Sequence, residues 1–139
     1  MADLTINTGV QEYVFNGGKA RVYLNPADPA FAKRLYERFT ELEEKDKAWR
    51  AKIAELSGDA IMAAWDEGDA MFREAIDDVL GVGFCAQLCG NVSVLAIADG
   101  MPIWMNILLA IIDIMDEAVS KEQKTVNPKL EKYLKKYHR

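Results

Sequence analysis

The longest apolar stretch of the sequence covers residues 101–115 and is interrupted only by Asn106 and Asp113. On a helical wheel, the apolar side chains of residues 103–119 cover about two-thirds of the circumference, whereas a surface helix needs a stripe only somewhat wider than about 100°. Asn106, Asp113 and Glu117 fall together in one narrow polar wedge. The pattern predicts a helix that either lies at the centre of the fold or keeps an apolar face for another chain.

The N-terminal residues favour strands. Residues 13–15 and 21–24 are rich in aromatic and β-branched side chains, and Asn-Gly-Gly stands between them at residues 16–18. Asn-Gly is a strong hairpin signal because both turn positions take positive φ. We expect a β-hairpin over about residues 10–25, and residues 4–6 are compatible with a third strand.

Two amphipathic helices are predicted after the hairpin. Asp28 suits an N-cap, and Pro29 suits the first helical position, where its missing N–H costs nothing. The first helix is expected to run to about residue 56, either continuously or with a break near Asp46. The apolar residues on its inner stripe are Phe31, Leu35, Phe39, Leu42, Trp49, Ile53 and Leu56.

A Ser-Gly-Asp sequence at residues 57–59 ends that helix and caps the next one. The inner face of the second helix is expected to hold Ile61, Trp65, Phe72, Ile76 and Leu80. Its outer face is expected to be acidic, with Asp66, Glu67, Glu74, Asp77 and Asp78. Because these acids alternate with apolar residues at helical spacing, they indicate a solvated helix face and not a calcium loop. A docking surface for a basic partner is the alternative.

The remaining chain is predicted as shorter helical pieces and the apolar helix. Residues 84–88 and 92–98 are expected to be helical, the first stopped by Gly90 and the second near Gly100. Pro102 can then open the apolar helix. Residues 126–139 are expected to form a short basic helix or tail.

That tail carries four apolar or aromatic residues at i, i+3, i+4 and i+7, namely Leu130, Tyr133, Leu134 and Tyr137. The overall expectation is a single α+β domain over residues 1–125, mainly α. It consists of the N-terminal β-hairpin followed by a small bundle of amphipathic helices.

The charge of the chain and the length of its apolar segment argue against nucleic acid and membrane as partners. The net charge is −5, with most of the negative charge in residues 61–99 and a basic segment at residues 125–139. Binding nucleic acid requires several Lys and Arg on one surface, so we expect no nucleic-acid partner. The N-terminus does not resemble a signal peptide, and residues 101–115 are too few to span a bilayer. We expect a soluble cytoplasmic protein without membrane contact.

The sequence offers little for catalysis. Its only histidine, His138, lies one residue from the end of the chain. Cys85 and Cys89 are four residues apart without a second ligand pair, so we expect buried reduced thiols. Ser57, Ser93 and Ser120 stand at helix boundaries, where hydroxyl groups cap helix ends. We therefore expect no enzyme activity, no catalytic or metal-binding residue and no cofactor.

The order of these parts resembles a family of small proteins from the tail modules of phages and prophages of Gram-positive hosts, often labelled tail assembly chaperones. The resemblance covers about residues 10–120. After the hairpin it is carried by LNPADPAFA at residues 24–32, AIDDVLGVG at 75–83, FCAQLCGN at 84–91 and the final apolar helix. It implies a non-enzymatic protein without cofactor that associates with the tape measure protein and with tail tube subunits, and that is commonly absent from the finished particle.

A chaperone for a long helical protein needs broad apolar contact, and Met-rich surfaces adapt to varied partners. The expected partner-binding residues are Met101, Trp104, Met105, Leu108, Leu109 and Ile112, assisted by Tyr133 and Tyr137. The polar wedge on the same helix fits either plain solvent exposure or an interface seam that fixes register.

Two other functions stay open at this point. The chain could be a structural or scaffold tail protein that self-associates and remains in the virion. It could also be a small regulatory or antitoxin-like module, in which the acidic helix mimics nucleic acid and occupies a basic protein.

Overall fold

The computed structural model describes residues 1–124, so the expected helix at residues 126–139, with Leu130, Tyr133, Leu134 and Tyr137, lies outside the described residues. The expected class is confirmed, since a two-stranded hairpin precedes a mainly helical body. In chain order the elements are β1 (Gln11–Phe15), β2 (Ala20–Leu24), α1 (Pro29–Ala54), α2 (Asp59–Leu80), α3 (Phe84–Cys89), β3 (Ile97–Ala98), β4 (Met101–Pro102) and α4 (Ile103–Lys124).

The first hairpin forms as its turn residues predict. β1 and β2 are antiparallel, with Phe15 opposite Ala20 at the turn end. Asn16 and Gly17 have φ values of 51° and 69°, the positive region that an Asn-Gly turn uses. Along β2, burial alternates, and Ala20 and the residues two and four further on face the core. The hairpin therefore contributes one apolar face to the fold.

The expectation of a third strand at residues 4–6 is wrong. Leu4 and Ile6 keep 83% and 77% of their surface exposed, and no strand within residues 1–124 pairs with them. The Asn25 side chain donates from Nδ2 to the Thr8 carbonyl at 2.8 Å. This contact holds the chain just before β1.

Helix α1 is continuous through Asp46. Its N-cap is Asp28, whose Oδ1 accepts from the Ala30 N–H at 2.9 Å. The helix has 26 residues and is about 39 Å long at 1.5 Å per residue. The break expected near Asp46 does not occur. The Asp46 carboxylate faces inward and accepts a hydrogen bond from Trp104 Nε1 at 3.3 Å. The gap in the apolar stripe is thus a polar contact with α4.

A glycine lets α1 and α2 approach each other closely. A Cβ atom at Gly68 would lie 2.5 Å from Trp49 Nε1 and 3.0 Å from Leu95 Cδ1. The same Trp49 Nε1 donates to the Ala64 carbonyl at 3.0 Å. Glycine is unfavourable inside a helix by about 1 kcal/mol relative to alanine. Packing of the Trp49 indole explains its presence in α2.

Residues 92–98 are not helical, contrary to the expectation from sequence. They form turns that lead into β3, and β3 pairs with β4 through a second tight hairpin. Asp99 and Gly100 occupy its turn with φ values of 55° and 80°. Asp-Gly favours this turn for the same reason as Asn-Gly, and this local signal overrides the weak helical pattern before it.

The core is shared by every longer element. Its largest fully buried side chains are Trp104, Phe72, Phe84, Leu35, Leu42, Ile76, Leu108 and Ile111. Within residues 1–124, no helix combines the length and apolar character that crossing a bilayer requires.

Candidate protein-binding site

Helix α4 is anchored at its N-terminal end by the hairpin that precedes it. The Ile103 N–H donates to the Ala96 carbonyl at 2.8 Å, and the Trp104 N–H donates to the Val94 carbonyl at 2.9 Å. These bonds satisfy two of the four N–H groups that a helix start leaves unpaired. Asn106 adds a third contact, from Nδ2 to the Ala98 carbonyl at 2.8 Å. The position and rotation of α4 are therefore fixed.

One face of α4 belongs to the core. Trp104 packs against Phe39 and Phe72, with ring centroids 5.9 and 5.7 Å apart. Its indole N–H reaches Asp46 of α1. The buried residues of this face are Trp104, Ile107, Leu108, Ile111 and Met115.

This burial corrects part of the partner face expected from sequence. Trp104 and Leu108 have no exposed surface, so they cannot touch another chain in this conformation. The wheel gave the width of the apolar arc, but it could not show which part α1 and α2 cover. Tyr133 and Tyr137, the two tail residues expected to assist, lie outside the described residues.

The other members of the predicted face remain at the surface. Met101, Met105 and Ile112 are half-buried, and Leu109 is 36% exposed. At 100° per residue the three of these side chains that belong to α4 span roughly 60° of arc beside the core face, and Met101 precedes them in β4. We call all four residues the α4 stripe. Asp116 falls within the arc of the stripe and Asp113 lies just beyond it, and both are exposed.

The opposite flank of α4 lines an open groove that sequence reasoning missed. Its upper cleft, of about 570 Å³, lies between α4, the tip of the first hairpin and α3. Its lower cleft, of about 730 Å³, lies between α4, β1 and residues 7–10. We call the two clefts together the β1–α4 groove. The α4 residues that line it include Ile103, Ile107, Ala110, Ile114 and Ala118.

Asp69 and Arg73 of α2 hold the segment that follows α3. Asp69 Oδ1 accepts from the Val94 N–H at 2.8 Å, and Asp69 Oδ2 lies 3.0 Å from Arg73 Nε. Arg73 Nη2 donates to the carbonyls of Gly90 and Val92, both at 2.8 Å. This carboxylate–guanidinium pair thus ties loop backbone to α2.

Asp77 also has a structural contact, which corrects its expected place on the outer acidic face. Its Oδ1 accepts from the Cys85 N–H at 2.9 Å, and its Oδ2 accepts from the Gly83 N–H at 3.1 Å. Its neighbour Asp78 pairs with Arg38 of α1 at 2.6 Å. The exposed acids that remain on α2 include Asp66, Glu67 and Glu74.

The two cysteines are free thiols, Cys85 buried and Cys89 partly buried, as expected. Burial raises the pKa of both thiols, and for Cys85 the nearby Asp77 carboxylate raises the pKa further. Both are protonated at neutral pH, the unreactive form of a thiol. In the described part of the chain, no three His, Cys, Asp or Glu side chains are placed to hold a metal ion.

Comparison with protein-family models, with curated proteins and with solved structures found no match to this chain. The geometry of the chain itself indicates the α4 stripe as a candidate protein-binding surface. It is apolar, accessible and carried by a helix whose other face is fixed in the core.

Proposed function

We propose that this chain is a non-enzymatic phage tail assembly protein. It acts in the cytoplasm of the bacterial host as a chaperone that binds the tape measure protein, tail tube subunits or both. The observation that carries the proposal is the α4 stripe, an accessible apolar surface beside the buried face of this helix.

The chemistry of the stripe suits a chaperone. Met101 and Met105 have flexible, polarisable side chains that adapt to partners of different shape. Leu109 offers a more exposed contact between them and Ile112. Because Trp104 fixes the helix underneath, the stripe is presented on a rigid element, and little ordering is needed on binding.

The polar groups of the described chain support a role without catalysis. Asp46, Asp69 and Asp77 hold an indole or backbone N–H groups. The Cys85 thiol is buried and protonated. The order of hairpin, capped long helix, acidic helix, short helix and apolar helix is the order on which the resemblance to the tail assembly family rests.

Co-expression with the tape measure protein of the same genome tests the proposal. We expect this chain to keep the tape measure protein in the soluble fraction. The double variant Met105→Glu/Leu109→Glu should lose this effect, because it places two charges on the stripe. Val82→Glu is the matched control, since Val82 is fully exposed between α2 and α3 and its variant should behave as the native chain. A tape measure protein that stays equally insoluble with and without the chain would overturn the proposal.

Two measurements separate the alternatives. Mass spectrometry of purified virions would show a stoichiometric peptide signal for a structural protein, and none for a chaperone. For an acidic regulatory module, Asp66→Lys/Glu67→Lys should abolish partner binding, whereas charges on the stripe should not. With Asp77 turned inward, that acidic face is smaller than the sequence suggested.

A further inference from the structure

Strand β1 has an open edge. It pairs with β2 on one side, and no backbone hydrogen bond joins its other side to any segment of residues 1–124. Such an edge presents a row of unpaired N–H and C=O groups that can pair with an added strand.

This strand forms one wall of the β1–α4 groove. The opposite wall is a row of apolar α4 residues flanked by polar ones, namely Asn106, Glu117, Lys121 and Glu122. Tyr13 and Phe15 of β1 line the lower and upper clefts, respectively. The five apolar α4 residues that line the groove, from Ile103 to Ala118, fall within roughly 80° of arc on the wheel. Over these residues the groove is about 22 Å long, at 1.5 Å per residue. An extended peptide in the groove could bond to β1 and place every second side chain on α4.

The N-terminal arm, which we define as residues 1–6, has the pattern of such a peptide. Leu4 and Ile6 alternate with Thr5, and both apolar side chains are largely exposed. The base of the arm is held, because Asn7 Oδ1 accepts from the Gly9 N–H at 2.9 Å and Asn25 binds Thr8. Fully extended, six residues span about 20 Å, which matches the groove. The arm does not fill the groove of its own chain.

We propose that a second copy of this chain fills the groove. The arm of each copy adds as a strand to the β1 edge of the other, and its Leu4 and Ile6 pack on the α4 flank of that copy. The exchange is reciprocal, so each chain contributes one arm and one groove to a twofold dimer. This association goes beyond the proposed chaperone function and leaves the α4 stripe free, since the stripe lies on the other flank of α4.

The area buried is near the lower limit for a stable dimer. One arm is about 20 Å long and about 10 Å across, and half of its surface would face the groove. That half is on the order of 300 Å². Two arms and two grooves then bury on the order of 1,200 Å², where specific interfaces begin. We therefore expect a dimer that forms at micromolar concentration and dissociates on dilution.

The mass of the full chain in solution tests the exchange. Sedimentation velocity from about 1 to about 100 μM should show the native chain passing from monomer to dimer. Leu4→Asp/Ile6→Asp should stay monomeric throughout, and the matched control Leu4→Val/Ile6→Val should still dimerise. Because the arm is exposed, circular dichroism and the melting temperature of the monomer should not change. A native chain that stays monomeric over the whole range would overturn the proposal.

A photo-crosslinking amino acid at position 4, in a mixture of copies with light and heavy nitrogen, locates the contact. We expect crosslinks from the arm of one copy to residues 11–15 or 103–118 of the other. Crosslinks confined to one copy would contradict the exchange, as would a dimer that survives Leu4→Asp/Ile6→Asp. The variant Leu109→Glu should dimerise normally, which separates failure of this proposal from failure of the proposed function.

Discussion

The junction of α2 with α3 and the side formed by β1 and α4 are built in opposite ways. At the junction, Asp69, Arg73 and Asp77 bind backbone groups of residues 83–94 at 2.8–3.1 Å. Along β1, one strand edge has no backbone partner in the described part of the chain, and the neighbouring clefts are open. At the junction, polar side chains of α2 hold the backbone of residues 83–94 in place through hydrogen bonds. The side formed by β1 and α4 leaves backbone and apolar side chains available for contact with another chain.

The difference shows that the charge pattern of the sequence does not separate surface acids from structural acids here. The acids that looked like a surface patch belong partly to the stabilising framework. The proposed association rests instead on the apolar Leu4 and Ile6 of the arm and on the open edge of β1. Substitutions should therefore lower stability on the junction side and change association on the β1 side.

The largest loss of unfolding free energy is expected at Trp104, in the core between α4, α1 and α2. Trp104→Ala removes a fully buried indole that packs on Phe39 and Phe72, and should lower the free energy of unfolding by about 3–5 kcal/mol. Urea denaturation followed by circular dichroism measures it. Trp104→Phe keeps most of the volume and loses the hydrogen bond to Asp46, so a smaller loss of about 1–2 kcal/mol is expected. Equal losses in the two variants would contradict the assigned packing.

Removal of the Asp69 carboxylate should break the junction. Asp69→Ala leaves the Val94 N–H without its acceptor and the Arg73 guanidinium without its carboxylate partner, and we expect a loss of about 2–3 kcal/mol in unfolding free energy. Asp66→Ala, on the exposed face of the same helix, serves as the control and should stay within about 0.5 kcal/mol of the native chain. If both variants lose the same amount, the junction contacts are not stabilising.

The Cys85 thiol makes stability depend on alkaline pH. The pKa of this thiol is higher in the folded chain than in the unfolded chain, where it is about 8.5. Below about pH 8.5 both states are protonated and the stability of the fold does not depend on this thiol's titration. Above about pH 8.5 only the unfolded chain loses the proton, so the free energy of unfolding falls as the pH rises. The slope approaches about 1.4 kcal/mol per pH unit for one thiol. Urea denaturation at pH 7 to 10 measures the slope, and Cys85→Ala should reduce it by that amount. An unchanged slope in Cys85→Ala would show that this thiol ionises equally in both states.

The smallest change in stability is expected in the arm. Leu4→Asp/Ile6→Asp, at a concentration where the chain is monomeric, should leave the free energy of unfolding within about 0.5 kcal/mol of the native value. Urea denaturation gives the comparison with Asp69→Ala under identical conditions. A loss above about 1 kcal/mol would mean that the arm packs on its own chain, and the contrast between the two regions would fail.

Local signals in the sequence predicted much of the fold. Asn16-Gly17 fixed the first hairpin, Asp28-Pro29 fixed the start of α1, and Gly90 ended α3 as expected. These features depend on backbone preferences of neighbouring residues, which a sequence shows directly. The second hairpin had an equally local signal in Asp99-Gly100, and it could have been recognised from that pair.

Features that depend on distant contacts could not be predicted. Asp69 and Asp77 share helical spacing with exposed acids, and only the path of residues 83–94 turns them into backbone acceptors. Likewise, Trp104 and Leu109 lie on one apolar arc, and the positions of α1 and α2 decide which one is buried. The β1–α4 groove combines residues about 90 positions apart, so no window of the sequence contains it.

The three tryptophans give the helical body its own optical reporters. Trp49 of α1 packs against Gly68 of α2, and the Lys52 ammonium group lies over its ring. The Arg50 guanidinium lies over the ring of Trp65, and Trp104 is fully buried. None of them belongs to the arm or to the first hairpin. Intrinsic emission should therefore follow the unfolding of the helices, and it should stay constant while arms exchange between copies. A spectroscopist could titrate association with an external label and read the integrity of the fold, in the same cuvette, from the indoles.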